Sequence, residues 1–379
     1  MTEKLYYENA YIKAFDAKVI EVLPTEGGYV VVLDKTAFFP EEGGQSSDTG
    51  FIGDARVLHA FEKDGVVHHL TDKAPAIGDN HCRLDFDERF EKMQCHTAEH
   101  ILCGIIHRLF GLDNVGFHLG EDEVTFDVNG VLDRGQLDEV EMLANEAVFS
   151  NISIETLFPS ADELAKIQYR SKLEITDGVR LVKIGEVDTC ACCAPHVART
   201  GEIGLIKILD FMKHRGGTRI WMVAGQRTLN DYRLRYDNIK RISGMLSTPQ
   251  LETANTLESY ISDNESLKAS LKSARLRIAE LEAERITVTE GSAVFYLPDF
   301  NIPELIAFSN VANKRIGKIT VALSGEEGDY KYVISSHTVN LREISEEINN
   351  ALSGRGGGRP EMIQGSFGAT LEEIKKFFE

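Results

Sequence analysis

Two short stretches of the chain carry residue types that bind metal ions. His96 and His100, in the run His-Thr-Ala-Glu-His, stand four positions apart. On a helix that spacing projects both imidazoles from one face, where they can grip a single ion. Far downstream, Cys192 and His196 are also four apart, in Asp-Thr-Cys-Ala-Cys-Cys-Ala-Pro-His-Val-Ala-Arg-Thr-Gly-Glu-Ile-Gly. Pro195 and the glycines imply a loop that bends both side chains inward, and tetrahedral zinc is held by such mixed Cys/His sets. Two separated pairs in one chain point to one zinc ion held by His96, His100, Cys192 and His196. Cys190 and Cys193 are rival thiols beside Cys192. Four protein ligands make a zinc structural and an open position makes it catalytic; the sequence leaves both open.

Cys103 and His107 continue the stripe of His96 and His100, but a rise of about 1.5 Å per residue carries them too far along to share the ion. Cys103 therefore reads as a small buried hydrophobe. Glu99 lies about 100° round the helix from His100 and is either a base for water or a helix-surface carboxylate, with the surface role favoured. His-x-x-Glu-His also matches the inverted zinc-protease motif, with Glu99 as base and an acid such as Glu174 as third ligand. That reading leaves Cys192 and His196 without a role.

The elements that must position these residues are legible from periodicity. Residues 1–87 read as short β-rich segments broken by Gly-Gly, Asp-Gly and Gly-Asp turns, a small β-barrel or compact sheet. From Asp87 the period becomes helical, and Gly111 stands where that helix would stop. Residues 88–240 then mix strands and helices as an α+β, zinc-containing core. Over 241–290 a helical coiled-coil segment or hairpin follows. Its seam is Leu257, Asn264, Leu271 and Ile278 at one heptad position and Tyr260, Leu267, Ala274 and Leu281 at the other, and a seam asparagine such as Asn264 sets register in an association interface. Residues 291–379 close the chain as a small α/β domain with a glycine-rich loop. The fold class is thus α+β with four segments.

The 379 residues, 42% hydrophobic and 27% charged, suit a multidomain globular protein and not a disordered one. No run of about 18 apolar residues exists and the first residues do not read as a signal peptide, so a cytoplasmic protein is expected. Six cysteines, three of them crowded at 190–193, then fit metal binding better than disulfides. The net charge of −19 means that any contact with nucleic acid is local.

These motifs resemble a known family. His-Thr-Ala-Glu-His followed by Cys-x-x-x-His-Val-x-x-Thr-Gly-Glu-Ile-Gly looks like the editing domain shared by alanyl-tRNA synthetase and the freestanding alanyl-tRNA editing proteins. Leu-Asp-Lys-Thr-Ala-Phe-Phe-Pro-Glu-Glu-Gly-Gly-Gln-Ser-Ser-Asp-Thr-Gly resembles the family segment Thr-x-Phe-Tyr-Pro-x-Gly-Gly-Gly-Gln-x-x-Asp-x-Gly, with Phe39 in place of tyrosine and Glu42 in place of the first glycine. The heptad segment and Gly-Arg-Gly-Gly-Gly-Arg-Pro-Glu-Met-Ile-Gln-Gly-Ser-Phe-Gly resemble the C-terminal region of alanyl-tRNA synthetase. Neither the aminoacylation domain nor an Asp-His-His phosphoesterase motif is recognisable.

The resemblance implies an enzyme of the long freestanding form, a deacylase that hydrolyses tRNA(Ala) carrying a wrong amino acid, above all serine and also glycine. It implies that Thr36 recognises the serine hydroxyl, and that Gly43, Gly44 and Gln45 let the backbone approach the terminal adenosine. Ester hydrolysis without a covalent intermediate is expected. Candidate phosphate contacts are Lys213, His214, Arg215 and Arg219 in the core, Lys314, Arg315 and Lys318 in the last domain, and Arg355 and Arg359 among the glycines. A homodimer through the coiled coil and the C-terminal domain, and no membrane partner, are expected. Besides the protease, a non-catalytic zinc-stabilised tRNA-binding module is an alternative.

Overall fold

In the strand Val66–Thr71 every second side chain is buried, the period-2 signature of a sheet with one face inward. The computed structural model, which describes residues 1–120, 122–171 and 179–378, places this strand in a closed barrel. In order of pairing its strands are Ala14–Thr25, Gly28–Leu33, Val66–Thr71, Ala55–Lys63, Gly50–Ile52 and Gly78–Leu84, and the last pairs back onto the first. Ala17, Val19, Val31, Leu33, Val57 and Leu84 fill the interior. Between Lys63 and Val66 the chain turns on Asp64 and Gly65, whose φ values of 52° and 75° are both left-handed. Two such residues match the twist of the strands they join.

The helix Phe86–Phe110 follows, ended by Gly111 at φ 66°, whose N–H donates to the His107 carbonyl at 2.8 Å. It is enclosed over most of its length, and its buried residues include Arg89, Lys92, Gln94, His96, Thr97, Glu99 and His100. Burying so many polar groups is costly unless each finds a partner. Arg89 grips the Asp48 carboxylate through Nε at 2.8 Å and through Nη2. The Lys92 ammonium donates to the Ser47 carbonyl at 2.8 Å, and the Gln94 amide to the Glu202 carbonyl at 2.8 Å. Removing one partner of such a buried pair costs about 3–5 kcal/mol. The helix is thereby tied at one side to the loop that follows Thr36 and at another to the segment after His196.

Two antiparallel sheets complete the first compact unit, Met1–Asn238. One has the order Ile206–His214, Gly217–Ala224, Val124–Val128, Asn114–Leu119. Phe126, Ile220 and Met222 from it share a core with Met93, Ile101 and Ile105 of the central helix and Val140 of the helix Arg134–Phe149. The other has the order Ile154–Leu157, Leu181–Ile184, Asp188–Ala191. Its pairing of Leu181 with Ala191 sets where the strand ends and Cys192 begins the metal-type loop.

The second unit is Ile239–Glu379. Its five-stranded sheet has the order Ala293–Tyr296, Thr320–Ser324, Tyr330–Ser335, Met362–Phe367, Gly354–Arg359. The run Gly354–Arg359, expected as a loop, is an edge strand paired with Met362–Phe367. The reason is Tyr332, which crosses beneath it: a Cβ on Gly356 would come within 2.3 Å of the Tyr332 hydroxyl, so side chains are excluded there. The helix Thr253–Glu284 runs 32 residues and buries only Thr253, Ala279 and Ala283. Leu257, Tyr260, Leu267, Leu271, Ile278 and Leu281 along its heptad seam are exposed. Among the described residues no helix is long and apolar enough to cross a membrane.

Candidate metal centre and its cavity

The enclosed helix presents His96 and His100 to the loop that leaves Ala191, and there they meet Cys192 and His196. The donor atoms of these four residues all lie within 4.8 Å of one another. Cys192 Sγ is 3.6 Å from His96 Nε2 and 3.3 Å from His196 Nε2. A tetrahedral zinc with bonds of about 2.3 Å to sulfur and about 2.0 Å to nitrogen separates such atoms by about 3.5 Å.

The other ring nitrogens fix the tautomers. His96 Nδ1 donates to Gln45 Oε1 at 2.8 Å, and His100 Nδ1 donates to Asp188 Oδ2 at 3.1 Å. Thr97 Oγ1 gives its proton to the Met93 carbonyl at 2.7 Å, so it accepts from His196 Nδ1 at 3.0 Å. With each Nδ1 protonated, all three Nε2 atoms turn bare lone pairs toward the Cys192 sulfur, which is what outer partners of a metal site impose. Burial opposes a thiolate at Cys192, yet proton sharing with the imidazoles packed around it holds this thiol well below its ordinary range, so the shared proton is the one that a bound cation would displace. Burial also keeps the His196 imidazole neutral, its pKa pushed down to about 3. With the shared proton displaced, one thiolate and three Nε2 lone pairs converge as a donor set for a borderline-soft divalent ion, zinc foremost.

A cavity of about 400 Å³ opens on this centre, lined among others by Tyr7, Glu42, Gly43, Glu99, Asn114, Arg170, Arg180 and Cys193. Glu99 is not the surface carboxylate expected. It is only 3% exposed and accepts from the Asn114 amide and, at 3.2 Å, from the Cys103 thiol. Every residue of this helix from Lys92 to Ile106 is buried, so a carboxylate at Glu99 has no outside to point to. Arg170 clamps Asp188 with Nε at 2.7 Å and Nη2 at 2.9 Å, so the partner of His100 is itself held.

The remaining expected residues fall in several places. Gly43 and Gly44 have φ of 65° and 85° and form the tight turn that brings Gln45 under His96; a Cβ on Gly44 would meet the Phe117 carbonyl at 2.5 Å. Thr36 is fully buried beside His69 and is not among the residues lining the cavity. The thiol of Cys190 is buried, and it forms a second close group with His100 and Asp188. Arg219 is held bidentately by Asp127 at 2.7 and 2.8 Å, with His214 3.2 Å away, which removes it as a free phosphate contact. Lys213 and Arg215 lie at that hairpin's end. Lys314, Arg315, Lys318, Arg355 and Arg359 belong to the second unit; Arg315 donates to the Ile286 carbonyl at 3.4 Å, and both Arg355 and Arg359 are exposed on the edge strand. Glu174, the third ligand of the protease reading, lies outside the described residues. Sequence reading missed Asp188, Asn114, Arg170 and Arg180. Only Asp188 left a signal, an acid buried two positions before a buried cysteine on an alternating strand.

Fold and site together define an α+β protein whose first unit carries a three-histidine, one-cysteine centre at the wall of a cavity. Residues 179–223 match the family described as the threonyl and alanyl tRNA synthetase second additional domain, and residues 293–379 match the DHHA1 domain. From end to end the chain is similar to the alanyl-tRNA editing protein AlaX-L of Pyrococcus horikoshii, at 29% identity over 99% of this chain and 96% of that one. It is also 30% identical to an alanine–tRNA ligase of Halorubrum lacusprofundi, over 96% of this chain but 42% of the ligase, and 32% identical to one of Halobacterium salinarum over 86% of this chain and 38% of that one. The chain thus spans about two fifths of the ligases it matches. The C-Ala domain of Aquifex aeolicus alanyl-tRNA synthetase matches at 24% identity over 23% of this chain and 84% of that one, with a TM-score of 0.20 that carries nothing about the fold.

Proposed function

We propose that this protein is a trans-editing hydrolase that deacylates mischarged tRNA(Ala), seryl-tRNA(Ala) first and glycyl-tRNA(Ala) second, with zinc held by His96, His100, Cys192 and His196. The observation that carries the reading is the convergence of those four donors at the wall of a cavity of about 400 Å³, within the range of small-ligand sites. The end-to-end similarity to an alanyl-tRNA editing protein supports the same conclusion.

An aminoacyl ester is already activated, so the site has to orient it, position water and stabilise the tetrahedral oxyanion. Bound zinc supplies positive charge and holds the helix and the Cys192 loop in register. The chain's own residues do the rest. Glu99, steadied by Asn114, takes the proton of the attacking water, and the ribose oxygen leaves with a proton. Gly43 leaves room for the terminal nucleoside, while Gln45 orients His96.

Thr36 reads the serine hydroxyl. His69 Nδ1 donates to the Val31 carbonyl at 3.1 Å, which leaves Nε2 to accept the Thr36 proton at 2.9 Å. Thr36 Oγ1 also accepts from the Phe38 N–H at 3.1 Å and so keeps one lone pair, matching a substrate hydroxyl that donates and leaving a methyl side chain without a partner. The protein acts in the cytoplasm, where aminoacyl-tRNA is made and thiols stay reduced, and self-associates through the exposed seam of Thr253–Glu284.

The test is incubation of the full chain with seryl-, glycyl- and alanyl-tRNA(Ala), with and without a chelator. Release of serine and glycine that stops with the chelator is expected, and inertness toward all three overturns the reading.

A further inference from the structure

Arg180 stands just before the strand Leu181–Ile184 and lines the same cavity as the metal-type centre. Its Nη1 donates to the carbonyls of Cys192 and Ala194, at 2.7 and 2.9 Å, and the guanidinium lies 5.4 Å from the centre of the Tyr7 ring. The side chain is thus pinned to the loop that supplies Cys192. Among the described residues the other edge of the guanidinium meets no anion. Nε is buried and has no acceptor, and Nη2 has only a contact of 3.4 Å with the Thr156 hydroxyl.

That edge is the one by which arginine grips an anion with two parallel hydrogen bonds. In three other arginines that edge is filled: Arg170 holds Asp188 through Nε and Nη2, Arg219 holds Asp127, and Arg275 holds Glu304. Among the described residues Arg180 has no carboxylate partner. Acids are not scarce in a chain with a net charge of −19. A largely buried cation with no carboxylate among the described residues is costly, and this one lines the cavity that would receive the substrate.

The missing anion is definable from the proposed substrate. A counter-charge that balances Arg180 in the bound complex must be charged before any bond breaks. The amino-acid ester carries no negative charge, and the oxyanion of ester hydrolysis exists only in passing. Only the phosphodiesters of the RNA end qualify. We propose that the Arg180 guanidinium binds the phosphodiester on the 5′ side of the acylated terminal nucleoside and thereby positions the ester at the His96–His100–Cys192–His196 centre. This rests on the editing reading and adds the group by which the RNA end is registered in the cavity.

The test compares two small substrates, the seryl ester of adenosine and the seryl ester of adenosine 5′-phosphate, with the wild type, Arg180→Gln and Arg180→Lys. The wild type is expected to prefer the phosphate-bearing ester about 10- to 100-fold in kcat/KM, mostly through KM, in keeping with a charge-assisted pair. Arg180→Gln loses that preference and Arg180→Lys keeps part of it. Because the readout is a ratio within each variant, a general loss of folding or of zinc lowers both rates and leaves the ratio in place. A wild type without preference, or a preference that survives in Arg180→Gln, overturns the assignment. A wild type that hydrolyses neither these esters nor seryl-tRNA(Ala) removes the editing reading itself.

Discussion

His96 and Gln45, 51 positions apart, are joined by a hydrogen bond of 2.8 Å from the imidazole Nδ1 to the side-chain amide oxygen. The bond ties a metal-type histidine on the central helix to a turn of the barrel's loop and fixes which ring nitrogen faces Cys192. Gln45→Leu should weaken zinc binding about 10- to 100-fold, measured by competition with a chromogenic chelator. Unchanged affinity would mean that the tautomer is set without Gln45.

Glu99 is held in the cavity wall by Asn114. Glu99→Gln should lower kcat for seryl-tRNA(Ala) by about 100-fold or more while the zinc content stays at the wild-type level. A change of less than about twofold, below the range of general-base effects, would exclude Glu99 as the group that takes the water proton.

Thr36→Val removes the lone pair that Thr36 Oγ1 offers. Loss of one hydrogen bond should reduce deacylation of seryl-tRNA(Ala) by about 10-fold and leave glycyl-tRNA(Ala) nearly untouched. Equal losses on both substrates, in a competition assay, would show that Thr36 serves the fold and not the choice of substrate.

His69 gives a pH signature independent of the metal. Burial lowers its pKa to about 4 from the ordinary 6.5. The unfolded chain therefore binds a proton near pH 6.5 that the folded chain refuses until about pH 4. Stability is full above that upper value and falls as the pH drops through the window, by about 3 kcal/mol in all. Urea unfolding of wild type and His69→Gln across this range should show a steeper slope in the first than in the second, the remainder coming from other groups such as His196, whose pKa burial also lowers.

Leu267 and Leu271 are 69% and 62% exposed on the helix Thr253–Glu284. If the seam joins two chains, Leu267→Glu with Leu271→Glu converts a dimer to a monomer in sedimentation equilibrium. A monomeric wild type would dismiss the seam as an interface.

Much of this architecture can be read from one sequence because periodicity is local. The helix Phe86–Phe110 follows from 3.6-residue spacing and Gly111, and the histidines four apart land on one of its faces as helical geometry requires. What could not be read depends on enclosure and on distant partners. Glu99 looked like a surface carboxylate because a helical wheel assumes a wet side, and between Lys92 and Ile106 this helix has none. Gly354–Arg359 looked like a loop until Tyr332 beneath it explained the missing side chains. Arg180 and Asn114 belong to no pattern of spacing, since each matters through a residue brought near only by the fold.

The most direct test of the central claim is the zinc stoichiometry of the wild type and Cys192→Ala, measured by elemental analysis beside chelator-sensitive release of serine from seryl-tRNA(Ala). One zinc per wild-type chain, lost together with activity in Cys192→Ala, is the expected result. Zinc retained in Cys192→Ala, or serine release that continues without zinc, would contradict the account.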